Sequence, residues 1–434
     1  MKIALISTYE LGRQPFGLAS PAAWLRAAGH EVTVADLSRA PLPLAAVQEA
    51  DGIAFSLPMH TATRLFPRVL DRVRAANPRA RLCAYGLYAP LNEPMLREAG
   101  VADIIGGEFE QGLVDWARGE PSPLIRLDRQ LFIVPDRAGL PPLGAYAQLV
   151  TNGSTRRVGY TETSRGCKHL CRHCPVVPVY RGTFRVVQPE VVLEDVRRQV
   201  AAGAQHITFG DPDFFNGPRH AVDVVESLHR EWPDLSYDVT IKIEHLLQRR
   251  DLIPVLHDTG CLFVTSAVES LDDAVLERLQ KGHTRADFHE ALELMREAGL
   301  PMSPTFIPFS PWTTRESYCD FLRQLVELGL SEQVAPIQLA IRLLLPEGSL
   351  LLELPEVRAI VGSFDETALT YPWRNPLDPL CSAIQDLIRR EERRKASRSE
   401  IFRQIWSLAE GGEFPDIPLA DRATIPYLTE PWYC

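Results

Sequence analysis

Glu162-Thr163-Ser164-Arg165-Gly166-Cys167-Lys168-His169-Leu170-Cys171-Arg172-His173-Cys174 places three cysteines inside eight residues, spaced Cys-x3-Cys-x2-Cys. Thiolates are soft ligands that select iron–sulfur clusters, zinc or copper(I). Three of them this close converge on one metal centre. Three rather than four leave a coordination position open, which a [4Fe–4S] cluster needs if its fourth iron is to bind a small molecule. Three unligated core cysteines fit poorly, because the rest of the run is rich in Lys, His and Arg. Zinc is the rival. His169 or His173 would complete a Cys3His site, although structural zinc usually draws paired ligands from two segments and the chain holds no second Cys-x2-Cys.

Outward from this run, strand-like stretches at 159–163, 206–210, 237–243, 262–268, 302–308 and 337–343 alternate with helical patterns at 189–202, 219–231, 247–258, 274–279, 285–298 and 315–328. Gly203, Gly260, Gly299 and Gly329 stand where helix C-caps belong. Six βα units of this kind predict a partial (β/α)6 barrel or a full one, with its chemistry at the carboxyl ends of the strands. The cysteine run follows the first of those strands.

Before it, short apolar runs at 3–7, 32–35, 52–57, 82–85 and 102–105 suit strands buried on both faces. They predict a doubly wound, Rossmann-like parallel sheet whose ligand loops begin at Ser7, Leu57, Gly86 and Gly107. The expected organisation is therefore α/β: a Rossmann-like domain over 1–120, a Pro-, Gly- and Arg-rich connector over 121–157, a barrel over 158–349 and a small, mostly helical appendage over 350–434. The appendage carries helical patterns at 381–395 and 398–409 and ends in Pro431-Trp432-Tyr433-Cys434.

The 434 residues carry a net charge of −10, which argues against a nucleic-acid groove as the main surface. No apolar stretch is long enough for a bilayer, and the N-terminus has no signal-peptide architecture, so a cytoplasmic protein with reduced thiols is expected.

The cysteine run resembles the signature of radical S-adenosylmethionine (SAM) enzymes, and the resemblance extends over about residues 1–350. It implies that Cys167, Cys171 and Cys174 hold a [4Fe–4S] cluster whose open iron chelates SAM. Cleavage of the sulfonium would then yield a carbon radical. Gly210-Asp211-Pro212-Asp213 stands where the family binds the SAM amino group, which makes Asp211 and Asp213 candidates, with helix capping as the plain alternative. Lys242, Glu244, Glu269 and Arg342 match strand-end positions that contact SAM in the family. Lys281-Gly282-His283-Thr284 resembles a recurrent family segment without an assigned role.

The N-terminal stretch resembles cobalamin-binding domains fused to such barrels, in 15–20, in Ser56-Leu57-Pro58, in Tyr85-Gly86-Leu87 and in Gly106-Gly107-Glu108-Phe109-Glu110. It lacks the Asp-x-His-x-x-Gly histidine, reading Thr8-Tyr9-Glu10-Leu11-Gly12-Arg13-Gln14 after the first strand. The domain either binds cobalamin or serves as a docked scaffold. The tail is similar to a radical SAM group ending Cys-Cys-Ala-Glu-Pro or Cys-selenocysteine-Ala-Glu-Pro, which makes Cys434 a candidate catalytic thiol and the protein a candidate selenoprotein.

Three functions are expected in order. The first is a cobalamin-dependent methyl or alkyl transferase. The second is a cobalamin-independent radical SAM enzyme acting on a thiophilic arsenic, selenium or sulfur substrate held by tail thiols. The third is a zinc-binding scaffold without activity. Expected partners are a small-molecule or peptide substrate and an electron donor such as flavodoxin or ferredoxin, with no membrane.

Overall fold

The structure, a computed structural model, describes residues 1–151, 153–331, 333–419 and 425–430. The first sheet holds β1 (Lys2–Ser7), β2 (Glu31–Asp36), β3 (Gly52–Ser56), β4 (Arg81–Tyr85), β5 (Asp103–Gly107) and β6 (Ile125–Arg126). They run parallel in the order β2-β1-β3-β4-β5-β6. Successive side chains of a strand point to opposite faces. Ala4 and Ile6 accordingly enter one core, while Ile3 and Leu5 enter the other. That two-sided burial explains the continuous apolar runs. The strand order reverses between β1 and β3, the switch point where sheets of this class bind ligands.

The second sheet is the curled half-barrel. Its hairpin β7 (Gln148–Thr151) and β8 (Ser154–Thr161) leads to β11 (His206–Phe209), β12 (Ser236–Thr240), β13 (Cys261–Glu269) and β14 (Met302–Phe306). From β8 to β14 all neighbours are parallel. A two-stranded ribbon, β9 (Ser164–Gly166) with β10 (Phe184–Val186), frames the cysteine loop. The outward face packs Ile207, Phe209, Val239, Val264, Val268 and Phe306 against the helices. The inward face is polar. His206 lies 2.8 Å from both Ser236 Oγ and Asp238 Oδ1, and Thr208 donates to the same Asp238 oxygen at 2.6 Å.

The structure departs from the sequence pattern at one expected strand. The stretch 337–343 is not a sixth full strand. It is a 3₁₀ turn, Pro336–Ala340, followed by a single bridge between Phe309 and Arg342. Pro336 lacks an N–H for a ladder. The Gln338 side chain instead accepts from the Phe306 N–H at 2.9 Å, satisfying the edge of β14. The connector contributes β6 to one sheet and β7 to the other. Strands this short leave little periodicity to read. The C-terminal helices Asp378–Arg393 and Arg398–Glu410 place Ile384, Leu387, Ile388, Phe402 and Ile405 in the barrel's own outer core, so they belong to that layer. The chain then returns as β15 (Tyr427–Leu428), antiparallel on β7. Beyond it Glu430 accepts from Tyr9 Oη at 2.7 Å and pairs with Arg39 at 2.9 Å.

The two sheets are joined around Arg165, which lies in β9 and is 6% exposed. Its guanidinium pairs with Glu110 at 2.7 Å, Glu162 at 2.8 Å and Glu108 at 3.5 Å. The rings of Phe16, Phe109 and Phe132 stand 5.0–5.5 Å from it. Burial alone would raise the Glu110 carboxyl, but Arg165 overrides it and holds the group below its ordinary range. Burial wins at Glu108, which is pushed up to about 7 against the pull of Arg165. Nearby, Glu10 follows β1 and accepts from Phe16 N–H at 3.1 Å. Burial pushes it up to about 8, with Arg13 opposing.

A carboxyl whose folded value lies above its unfolded value binds its proton more tightly in the folded state. Its stabilising effect is complete below the unfolded value and is lost as pH rises through the folded one. Glu10 and Glu108 therefore predict a melting temperature that falls between about pH 6.5 and pH 8, since below that range the lowered His169 and His283 titrate with the opposite sign. Glu10→Gln should flatten that slope in calorimetry. A slope identical to wild type would remove Glu10 from the account.

Candidate functional site

The loop from Cys167 to Cys174 sits at the carboxyl end of β8, between β9 and the helix Val176–Tyr180. Three groups fix its entry. Gly166 adopts φ +74°, and a side chain there would collide with the Tyr180 ring and the Thr183 carbonyl. Asp211, at the end of β11, accepts from Thr163 N–H at 2.9 Å, Thr163 Oγ1 at 2.6 Å and Ser164 Oγ at 2.6 Å. Asn216 accepts from Lys168 N–H at 3.2 Å, returns a bond to the Gly166 carbonyl at 3.3 Å and lies 3.8 Å from Cys167 Sγ.

The histidines of the run bear on whether it could hold a single ion. Ligands of one tetrahedral zinc stand roughly 4 Å apart, given Zn–S bonds of about 2.3 Å. Among the described residues, the group whose ligand atoms converge within 4.8 Å of one another is His169, Asp213 and His245. His173 is turned to Glu269 Oε1 at 3.1 Å, and His169 faces His245 at 3.2 Å. With His173 and His169 so engaged, the run lacks the fourth ligand of a Cys3His ion site. Burial, reinforced by the Cys171 and Cys167 sulfurs, pushes the Cys174 thiol up to about 12, so it would take a bound metal to hold it as a thiolate.

The remaining strand ends bring further groups to the same mouth. Asp213 is fully buried, and its Oδ1 accepts from Phe215 N–H at 3.2 Å. Its Oδ2 lies 2.7 Å from His245 Nδ1 and 3.7 Å from His169 Nε2. The close approach to His245 is not aligned as a hydrogen bond, so Oδ2 and Nδ1 both remain unsatisfied. Lys242 reaches Glu244 Oε2 at 3.2 Å, and that oxygen is 3.5 Å from His169 Nδ1. Burial, with Lys242 beside it, lowers His169 to about 4 and keeps it neutral. Glu269 sits past a register shift in β13 with φ +69°, an uncommon conformation for a residue with a side chain. Its Oε1 meets Lys281 Nζ at 3.2 Å as well as His173. Burial would raise Glu269, but Lys281 and His173 overcome it and hold the carboxyl at about 2. Its Oε2 is buried without a partner, as are both ring nitrogens of His283. Orphaned buried polar atoms at one mouth fit a polar ligand carrying an ammonium and a carboxylate, as SAM does.

The structure thus gathers Cys167, Cys171, Cys174, Asp211, Asp213, Lys242, Glu244 and Glu269 around one mouth. It separates Arg342, whose guanidinium pairs with Asp378 and the Trp373 carbonyl and stacks 3.5 Å from the Trp373 ring centroid. Arg342 ties the C-terminal helices to the barrel. Asp211 spends both carboxylate oxygens on the cysteine loop. Cys434, with Pro431, Trp432 and Tyr433, lies outside the described residues. Asn216, His245 and the loop-holding role of Asp211 escaped the sequence. The available signal was their position just past the ends of β11 and β12. In the first sheet, Ser7 Oγ and Glu10 Oε2 are also buried without partners at the β1–β3 switch point. A side chain at Gly17 would crowd Ser56 Oγ at 2.6 Å, so only glycine leaves this rim open. This rim fits a polar cofactor tail.

Residues 161–325 match the family model of the Radical SAM superfamily, and residues 3–116 match that of the B12 binding domain. The chain therefore carries a B12-binding domain followed by a radical SAM domain, the latter implying a [4Fe–4S] cluster and SAM as cofactors. A tRNA-2-methylthio-N(6)-dimethylallyladenosine synthase of Desulfosudis oleivorans is 30% identical over 186 residues, 38% of this chain and 37% of that protein. A hopanoid C-3 methylase of Methylococcus capsulatus is 26% identical over 151 residues, 35% of this chain and 29% of that protein. The chain spans well under half the length of these relatives. Among solved structures, the radical SAM methyltransferase TsrM of Kitasatospora setae, with tryptophan and a SAM analogue, aligns at a TM-score of 0.67 and 16% identity, covering 89% of this chain and 88% of that one. The cobalamin-dependent radical SAM enzyme OxsB, with aqua-cobalamin and SAM, aligns at 0.65 and 14% identity, covering 89% and 66%. At these identities the likeness shows a shared fold. Among the described residues no helix is long and apolar enough to cross a membrane.

Asp211→Ala would strand the Thr163 and Ser164 donors in a buried loop. It should cost about 3 kcal/mol or more in urea unfolding, and anaerobically reconstituted protein should retain less iron than wild type. Asp211→Asn should keep part of both. Wild-type iron content in Asp211→Ala would show that the loop holds itself.

Proposed function

We propose that the protein is a radical SAM transferase that reductively cleaves S-adenosylmethionine at a [4Fe–4S] cluster and transfers a methyl or other alkyl group with the help of cobalamin. The observation that carries this reading is the three-thiol loop at the barrel mouth, ringed by unsatisfied oxygens of Asp213 and Glu269. When bound, the cluster supplies one electron to the sulfonium, and cobalamin supplies a methyl carrier. The chain's own residues do the rest. Asp213 Oδ2 and neutral His169 accept hydrogen bonds from an ammonium group. Lys242 and Lys281 place positive charge where a carboxylate can be held. Asp211 and Asn216 fix the loop, and the Arg165 clasp seats the first domain against the barrel so that water is excluded between them. Ser7, Ser56 and Glu10 are the groups at the switch point that would hold the cobalamin tail.

Anaerobic reconstitution should give about four irons per chain and broad thiolate-to-iron absorption, both absent when all three cysteines are Ala. Asp213→Ala should keep the iron but weaken SAM binding about tenfold or more, for one charge-assisted hydrogen bond lost. Hydroxocobalamin supplied during expression should co-purify near one per chain. Stoichiometric zinc in place of iron would overturn the proposal, and SAM cleavage without retained cobalamin would reduce the first domain to a scaffold.

A second reading has a specific observation behind it. The strap formed by β15 and Glu430 brings the tail to Tyr9 and Arg39 of the first domain, at the seam with the barrel. It would direct Cys434 to a thiophilic substrate. Removing residues 429–434 should then leave the iron content and uncoupled SAM cleavage intact but abolish product. Product at the wild-type rate would make the strap purely structural.

A further inference from the structure

Three side chains at the barrel mouth meet in a way that an ammonium group alone does not require. His169 lies in the cysteine loop, Asp213 follows β11, and His245 lies in the short helix Ile243–Gln248 after β12. Their ligand atoms all fall within 4.8 Å of one another. Asp213 Oδ2 is 2.7 Å from His245 Nδ1 and 3.7 Å from His169 Nε2, and the two Nε2 atoms are 3.2 Å apart. Nitrogen and oxygen ligands of one zinc-class ion, at bonds of about 2.0–2.2 Å, stand roughly 3–3.5 Å apart. The separations at the mouth straddle that spacing.

Two further observations set the group apart from an ordinary ion network. Asp213 Oδ2 and His245 Nδ1 are buried, and neither has a hydrogen-bond partner although they face one another. A cation placed between them would satisfy both. Asp213 Oδ1 is spent on the Phe215 N–H, so a single carboxylate oxygen points into the group. Behind His169, Glu244 Oε2 lies 3.5 Å from Nδ1, the position of the carboxylate that fixes the tautomer of a metal-bound histidine. Lys242, the nearby cation, is turned to that same Glu244 oxygen at 3.2 Å.

We propose that His169, Asp213 and His245 form a second metal site, for one divalent ion of the zinc class, and that this ion and the SAM ammonium exclude one another. Two imidazoles and one carboxylate suit such a borderline ion better than a hard oxygen-seeking one. The exclusion of SAM rests on the function proposed above, which gives Asp213 Oδ2 to the ammonium. One oxygen cannot serve both. The ion would enter from the partly exposed side of His169 and Glu244 and keep water in its open coordination positions. A filled site closes the mouth to SAM, so the free metal concentration would set what fraction of the protein can begin turnover.

The test uses anaerobically reconstituted full-length protein with its irons in place, dialysed against buffered zinc, and counts zinc and iron per chain by elemental analysis. Zinc should reach about one per chain beside the irons, and saturating SAM should expel it. Free zinc at about ten times its own dissociation constant should raise the apparent Kd of SAM about tenfold in equilibrium dialysis. His245→Ala should keep its irons, lose the zinc and bind SAM with an affinity that zinc no longer changes. His169→Leu should also lose the zinc, and its partly exposed position guards against a folding defect in the buried variant. Equal zinc in the wild type and both variants, whether none or one, overturns the proposal, because zinc held on the thiols would survive both substitutions. Zinc and SAM bound together on one chain overturns it as well. Metal-free protein that fails to bind SAM would instead count against the proposed function, while the zinc counts of wild type and variants still decide the metal site.

Discussion

One buried guanidinium holds the molecule together. Arg165 belongs to the short strand that leads into the cysteine loop, yet two of its three carboxylate partners, Glu108 and Glu110, come from the first domain. Stripping such a charge of water costs several kcal/mol and is repaid only by good geometry and further hydrogen bonds. Here Tyr180 donates to Glu108 at 3.1 Å, Ser20 donates to Glu110 at 2.6 Å, and Gln130 adds a bond to Glu110 at 3.0 Å. Removing one member would leave uncompensated charge in the core, at a typical cost of about 3–5 kcal/mol. Burial, with the neighbouring acids adding to it, raises the Glu108 and Glu162 carboxyls against the pull of Arg165. The strand that enters the cysteine loop therefore shares one buried ion network with the first domain.

The same logic of shared groups organises the mouth of the barrel. Charged side chains past the strand ends are held by neighbours: Asp211 by Thr163 beyond β8, Asp213 beside His245 beyond β12, Lys242 by Glu244 of the same strand end and Glu269 by Lys281 further along its own connection. What distinguishes a ligand site from a packed ion network is what remains unpaired. Asp213 and Glu269 each keep one oxygen unspent in a buried setting, which a stable protein seldom tolerates without a visitor. Asp211, in the same sequence motif, keeps none.

Much of this was legible in the sequence, for identifiable reasons. Metal-ligand spacing is local, so Cys167, Cys171 and Cys174 stand out in the sequence as one candidate group. The doubly buried strands of the first sheet announce themselves because both faces meet a core. Helix ends were marked by Gly203, Gly260, Gly299 and Gly329, all of which adopt positive φ. The rest was hidden where tertiary pairing overrides local pattern. The four-residue strand β7 exists because β8 folds back on it. The stretch around Gln338 reads as a strand and is a 3₁₀ turn, since a side chain satisfies the neighbouring edge. Arg342 reads as a site residue by register alone and is claimed by Asp378 and Trp373, which no spacing rule connects to it. Glu108 and Glu110 were noticed as a motif, but their partner lies in another domain.

The return of the chain as β15 has a consequence for how the molecule comes together. Tyr9 and Glu430 are separated by 421 residues and yet share a hydrogen bond. Closing so long a loop gains nothing until both sheets exist, and its entropy cost grows only slowly with length. Until β15 docks, β7 presents an open edge of unpaired backbone groups, a template for pairing with a second chain. The interval between forming the half-barrel and seating the strap is thus when a nascent molecule is most exposed to edge-to-edge self-association, and the same segment that latches the two domains is the one that ends that vulnerability.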